Sequence, residues 1–377
     1  MTFTGNWSFP TPIRFGVGRI GELADAVSTS GMQRPLFVTD PFLADLPMTA
    51  DARRQLPGSG LFQDVTPNPR EADLAAGIEA FRTGGHDGVV AFGGGSALDL
   101  GKLIAFQAGQ ERPVWDFEDI GDWWTRALSD TIAPIVAVPT TAGTGSEVGR
   151  AAVLTRADDH CKKVIFHPKM LPAVVIADPE LTVGMPRAVT AGTGMDAFAH
   201  CLEAYSAPGY HPICAGIALE GMRLVKDNLL RACEEPGDLT ARAEMMSAAM
   251  AGALAFQRGL GAIHALSHPI GALFDTHHGT TNAVLTPAVL RWNRPEIEER
   301  IARAAAYLGL AADFEAFVAW VEALRAETGL PSTLQSLQVS RERFGKIAEM
   351  APHDPTAGGN PRPVTPEAAM TLLEEAW

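Results

Sequence analysis

The sequence predicts a two-part fold. Residues 1–181 read as an α/β domain with a mostly parallel, Rossmann-like sheet, and residues 182–377 as an all-helical domain. Two observations predict it. In the first half, short apolar runs alternate with helix-period stretches. From about residue 182 those runs stop, and long Ala-, Leu- and Met-rich patterns at helical spacing take over. A length of 377 residues, 46% of them hydrophobic, is enough for two ordinary domains with substantial cores.

Taken in order, the apolar runs are PLFVTD (35–40), GVVAFGGG (88–95), IVAVPTT (135–141) and AVVIADP (173–179). Each ends in turn-forming residues, as strands of a parallel sheet do. Between them lie helical stretches such as GELADAVSTSG (21–31) and ADLAAGIEAFRTGG (72–85). In the second half, 186–206 begins a series of helical segments that continues to FEAFVAWVEALRAETGL (314–330). No internal repeat or low-complexity linker interrupts the chain.

Charge and cysteine usage narrow the function classes. A formal charge of −14 argues against nucleic acid and anionic membranes as partners, though it also serves solubility alone. The four cysteines, Cys161, Cys201, Cys214 and Cys233, form no CxxC pair and read as reduced thiols. No apolar run is long enough for a membrane-spanning helix. The first residues lack the pattern of a secretory signal. A cytoplasmic protein is the expectation.

Three glycine-rich turns compete for a phosphate-bearing ligand. GVGRIG (16–21) fits GxGxxG, with Asp40 following Gly21 by 19 residues, but that spacing alone is a weak signal. GGGSALDLGK (93–102) runs from a buried strand into a helix. Gly94 and Gly95 there allow close backbone approach, Ser96 is expected to cap, and Asp99 to fall in the first turn. PTTAGTGSEV (139–148) adds the hydroxyls of Thr140, Thr141 and Thr144. Each turn taken singly also reads as an ordinary capped turn. Two at the ends of neighbouring strands fit the ligand side of an open α/β sheet. Asp40 ends its strand, where a carboxylate accepts ribose hydroxyls and repels an added phosphate, favouring NAD over NADP. Its plain alternative is a cap before Pro41.

The second half holds metal-ligand chemistry. Asp196 and His200 are four apart on one helical stretch, so they share a face. His264 and His268 repeat that spacing, Pro269 and Gly271 are expected to bend the chain after them, and His277 and His278 follow. Five of the ten histidines therefore fall at 200 and within 264–278. A lone histidine is usually a satisfied helix residue. A cluster of imidazoles with a carboxylate in step suits Fe²⁺ or Zn²⁺.

With these motifs in view, the chain resembles the iron-containing (group III) alcohol dehydrogenases, whose fold is shared with glycerol dehydrogenase and dehydroquinate synthase. The likeness runs from FGVGRIGEL (15–23) through GGGSALDLGK, PTTAGTGSEV, DPELT (178–182), TGMDAFAHCLEAY (193–205) and HALSHPIGALFDTHHGTTNAV (264–284) to GNPRPVT (359–365). The resemblance implies a metal held by Asp196, His200, His264 and His278, with His268 beside it. It places GGGS at the pyrophosphate and Asp40 at the adenosine ribose. It further implies that Asn68, Gly94, Gly95, Ser96, Asp99, Thr140, Thr141, Thr144 and Lys163 line the dinucleotide. A homodimer is common among such proteins. The implied reaction is hydride transfer between nicotinamide and a small alcohol or aldehyde, with His268 or His277 relaying the proton. The loop around RADDHCK (156–162) is one residue longer than the family pattern, and AFQRGLGAIH (255–264) one shorter than in some relatives. Arg150 and Arg258 add charge near the implied pocket: either they are paired or solvated, or one of them binds an acidic substrate group. Rival readings are a maleylacetate reductase-like reduction of an unsaturated acid, a lyase resembling dehydroquinate synthase, and a non-catalytic metal- or nucleotide-binding protein. The lyase would need a basic pocket, yet Lys226 and Lys346 are the only lysines after residue 181.

Overall fold

The computed structural model describes residues 11–158 and 161–377. The described residues divide into two compact units, one built of residues 11–141 and 145–183, the other of 142–144 and 184–377. The first ten residues, on which the leader reading rests, lie outside the described ones, as do residues 159 and 160.

In the first unit a six-stranded sheet is parallel throughout. Its strands are β1 (Ile13–Phe15), β2 (Leu36–Val38), β3 (Gly60–Phe62), β4 (Val89–Gly93), β5 (Ile135–Pro139) and, after two others, β8 (Val174–Ala177). The spatial order is β1-β8-β5-β4-β2-β3. The helices between them are α1 (Leu23–Thr29), α2 (Pro41–Ala44), α3 (Pro47–Arg54), α4 (Glu71–Thr83) and α5 (Gly95–Gln107). Strands β4, β5 and β8 are buried along their whole length, which is why they read as unbroken apolar runs. Phe37 of β2 and Phe92 of β4 meet at 5.2 Å between ring centres, in a core shared with Leu23, Val136, Val138 and Ile176. Gly101 of α5 has no side chain because Ala91 Cβ of β4 would stand 2.7 Å from one.

The order reverses between β2 and β4. From β2 the chain steps outward to β3, then crosses back to β4 on the other side. The carboxyl ends of β2 and β4 therefore flank a crevice where such sheets bind ligands. GVGRIG instead follows edge strand β1 and leads into a short 3₁₀ turn (Arg19–Glu22), away from that switch. A hairpin of β6 (Ala151–Thr155) and β7 (Lys162–Phe166), absent from the sequence reading, completes this unit.

The second unit contains only helices among its described residues: α6 (Arg187–Ser206), α7 (Pro212–Glu234), α8 (Leu239–Ala255), α9 (Ala262–Phe274), α10 (His278–Tyr307), α11 (Phe314–Glu327), α12 (Phe344–Met350) and α13 (Pro366–Ala376). Helix α6 is buried on nearly every side from Thr190 onward, packed by α7, α8 and α10. Its Ala and Gly residues permit that crowding. One expectation is corrected here. Pro269 and Gly271 do not break the helix: α9 continues through both, to Phe274, and Asp275 caps it in the left-handed region (φ 51°). Proline removes one amide donor, a loss that a packed helix can absorb. None of the described helices is long and apolar enough to cross a membrane.

Candidate metal centre and dinucleotide turns

Helix α6 carries Asp196 and His200 one turn apart, α9 carries His264, and His278 opens α10. Two glycines bring them together. A side chain on Gly279 would collide with the Gly192 carbonyl and stand 2.9 Å from Asp196 Cβ. So the first turn of α10 lies directly on α6.

Asp196 Oδ1 stands 3.8 Å from His200 Nε2, 3.6 Å from His264 Nε2 and 3.5 Å from His278 Nε2. These separations are too long for good hydrogen bonds. Two donors bound to one tetrahedral ion at about 2.1 Å stand roughly 3.4 Å apart, so the spacing fits a shared cation. Asp196, His200 and His264 are buried and their donor atoms lie within 4.8 Å of one another. His278 falls outside that tightest triad and is more exposed.

The electrostatics agree. Burial pushes the Asp196 carboxyl upward, but the surrounding imidazoles outweigh it and hold the group well below its usual range. Burial lowers His200 to about 4 despite Asp196 beside it, so this imidazole is a neutral donor. For His264, burial acts downward, yet Glu203 and Asp196 together raise it to about 9. A cation binding here must displace a proton from His264. Asn282 Nδ2 donates to Asp196 Oδ1 at 2.8 Å and lies 3.3 Å from both His264 Nε2 and His278 Nε2.

The two relay candidates differ in setting. His268 Nδ1 is 2.8 Å from Asp354 Oδ2, and its ring stacks on His278 at 5.3 Å. Thr356 fixes the other Asp354 oxygen through its amide and hydroxyl. His277 is exposed and caps α10, with Nδ1 accepting from the Thr280 amide.

At the sheet's switch point, Asp40 Oδ1 accepts from Leu43 N at 2.9 Å, while Oδ2 lies beside Gly93. The turns after β4 and β5 are tied together by Thr140 N donating to Gly93 O, and Thr141 packs on Gly94. Two expectations about α5 are corrected. Its cap position is Gly94, with no side-chain bond, because Gly93 (φ 149°) turns the chain so sharply that helix begins at Gly95. Ser96 is thus the second helical residue. Asp99 falls beyond the first turn, where it accepts from Ser146 Oγ and Val153 N and pairs with Lys102 at 3.5 Å. Asp99 therefore fastens the hairpin and the 139–148 loop to α5. Asn68 adopts φ 53° just before Pro69, which binds Thr155 N of β6. Lys163 on β7 pairs with Glu118 at 3.5 Å. Thr144 lies in the short stretch 142–144 that groups with the helical unit.

Comparison with known families agrees with this geometry. The family model described as iron-containing alcohol dehydrogenase matches residues 10–179, and that of the Fe-containing alcohol dehydrogenase family, C-terminal, matches 190–377. The chain belongs to the iron-containing alcohol dehydrogenase family. A 4-hydroxybutyrate dehydrogenase of Cupriavidus necator is 38% identical, covering 97% of this chain and 98% of that one. The crystal structure of a 1,3-propanediol oxidoreductase superposes with a TM-score of 0.93 at 34% identity, over 99% of this chain and all of that one. A sulfoacetaldehyde reductase from Bifidobacterium kashiwanohense, solved with NAD⁺, gives a TM-score of 0.89 at 30% identity, over 100% and 99%. The family, fold class and reaction class read from the motifs are borne out.

Sequence reasoning missed Glu203, Asn282 and Asp354. Glu203 follows Asp196 by seven residues and His200 by three, so helical spacing on one face could have flagged it. Asn282 is one turn after His278 and was open to the same signal. Asp354 reaches His268 only through the tertiary fold. The two open readings of Arg258 also narrow. Its Nε donates to Gly209 O at 2.6 Å, just beyond α6, and its Nη1 to Tyr205 O at 2.9 Å, in the last turn of α6. It is a paired arginine. Arg150 lies over the Phe166 ring at 5.3 Å.

Proposed function

We propose that this chain is an NAD-linked, metal-dependent alcohol dehydrogenase that interconverts a small alcohol and its aldehyde. The carrying observation is the convergence of Asp196 Oδ1 with three imidazole Nε2 atoms at 3.5–3.8 Å. In this reading Asp196, His200, His264 and His278 hold Fe²⁺ or, alternatively, Zn²⁺. The bound ion supplies Lewis acidity toward the substrate oxygen. The protein's own groups do the rest. Asp196 contributes the negative charge, and the histidines bind as neutral donors. The rigid packing of α6, α9 and α10 keeps the four side chains in register.

The free amides at the start of α5, with Gly94 and Gly95, suit a pyrophosphate. Ser96, Thr140, Thr141 and Thr144 are assigned to the same dinucleotide, with Asn68 and Lys163 at its margin. Asp99 supports that site from behind. Asp40 Oδ2 accepts a ribose hydroxyl and disfavours the extra phosphate of NADP. Because Asp354 accepts from His268 Nδ1, His268 Nε2 is left to accept the reacting proton; His277, committed to its cap, is the weaker relay.

The relatives named for 4-hydroxybutyrate and sulfoacetaldehyde support a substrate bearing an acidic group. The bonds from Arg258 Nε and Nη1 to backbone carbonyls weigh against Arg258 as its anchor. The low cysteine count supports a cytoplasmic setting, and the family likeness supports a homodimer. Asp196→Ala tests the centre: turnover and metal content should vanish while NAD⁺ affinity stays within about twofold. Full activity of this variant after chelation would contradict the reading.

A further inference from the structure

Glu203 is a buried carboxylate, 5% exposed, on the same helix as Asp196 and His200. Its Oε2 lies 2.6 Å from His264 Nδ1, and its Oε1 accepts from Ile263 N, also at 2.6 Å. Its ion-pair partner is His264; no lysine or arginine is paired with it among the described residues. Among the described residues, Asp196 likewise faces only imidazoles as ion-pair partners. Among the described residues, the centre thus holds two buried carboxylates paired with imidazoles and with no arginine or lysine. Burying such charges is costly unless a cation compensates them. Two negative charges and neutral imidazoles match one divalent ion.

The three ligand imidazoles are supported unequally. The nearest carboxylate oxygen to His200 is Asp196 Oδ1 at 3.8 Å, and His278 Nδ1 meets Ser267 Oγ at 3.4 Å. His264 has a short contact to a carboxylate, Glu203, at 2.6 Å. An acceptor there keeps the proton on Nδ1, leaves the Nε2 lone pair for the metal and raises its basicity. Glu203 also grips the amino end of α9, beside Asn360, whose Oδ1 accepts from Ala262 N at 3.1 Å.

We propose that Glu203 is a positioning residue that fixes the His264 tautomer and supplies the second compensating charge, setting the affinity of the centre for divalent cations. The inference rests on the metal reading above. It is tested with full-length Glu203→Gln, which keeps the volume but removes the charge. Co²⁺ affinity is read by competition with a chelating dye, and the site is followed by the visible Co²⁺ spectrum. Apo melting temperature and NAD⁺ affinity serve as controls on folding. The expected result is Co²⁺ binding about 10–100-fold weaker, with the tetrahedral-type spectrum retained at saturation and NAD⁺ affinity unchanged. A variant that melts lower but binds Co²⁺ as tightly as wild type would make Glu203 a helix anchor only, overturning the proposal. Wild-type protein that takes up no Co²⁺ would overturn the metal reading itself.

Discussion

Asp40 does two jobs with one side chain, and they can be separated. Oδ1 caps α2 and Oδ2 faces Gly93. Asp40→Ser keeps a capping oxygen and removes the charge, so it should lower the NAD⁺ over NADP⁺ preference at least tenfold with little change in melting temperature; an unchanged ratio of kcat/KM for the two would remove Asp40 from cofactor selection. Glu147 titrates elsewhere in the same unit. Burial raises its carboxyl from 4.5 to about 7, against the pull of its own backbone amide and of Lys102. A raised folded value stabilises below 4.5 and loses that contribution as pH rises to about 7. Glu147→Gln should therefore melt progressively higher relative to wild type across that window, and a pH-independent difference would refute the assignment. The metal-ligand types were legible in the sequence because Asp/His spacing at i, i+4 survives folding unchanged. Asp354 was not, since 86 residues separate it from His268.

At the scale of elements, the centre depends on how closely α10 approaches α6. Gly192 and Gly279 make room for that approach, and the GTT run after His278 reads differently in its light. Gly279→Ala would push α10 off α6. We expect a loss of about 2–4 kcal/mol, together with weaker metal binding, read by thermal melting and metal content. Wild-type metal content would show the contact to be slack. The C-terminal end of α6 is held by Arg300 of the same helix α10, whose Nη1 donates to the carbonyls of Tyr205, Ser206 and Ala207. The buried strands announced themselves as apolar runs. The β6–β7 hairpin did not, because its strands are only partly buried and β7 opens with two lysines. The extent of α9 was hidden by Pro269, whose cost is a single backbone bond, and the cap of α5 was placed two residues late, at Ser96, because Gly93 starts the helix so abruptly.

Across the whole molecule, two compact units carry distinct chemistry. The α/β unit presents backbone donors and a carboxylate at a topological switch, and the helical unit presents buried ligands around a cation-sized gap. The family and the alternation of strand and helix were readable because burial on both sheet faces writes itself into composition. The outer carboxylates of the centre were not, because they come to their partners only through packing. A cation that binds the folded centre must also stabilise the unit built around it. The most direct measurement is of anaerobically purified protein: metal content and NAD⁺ reduction on a panel of small alcohols, including hydroxy acids, before and after chelation and Fe²⁺ or Zn²⁺ add-back, with Asp196→Ala in parallel. The account predicts about one divalent ion per chain, activity that disappears with it and returns with it, and an inactive variant. Metal-free protein that still turns over at the wild-type rate would contradict it.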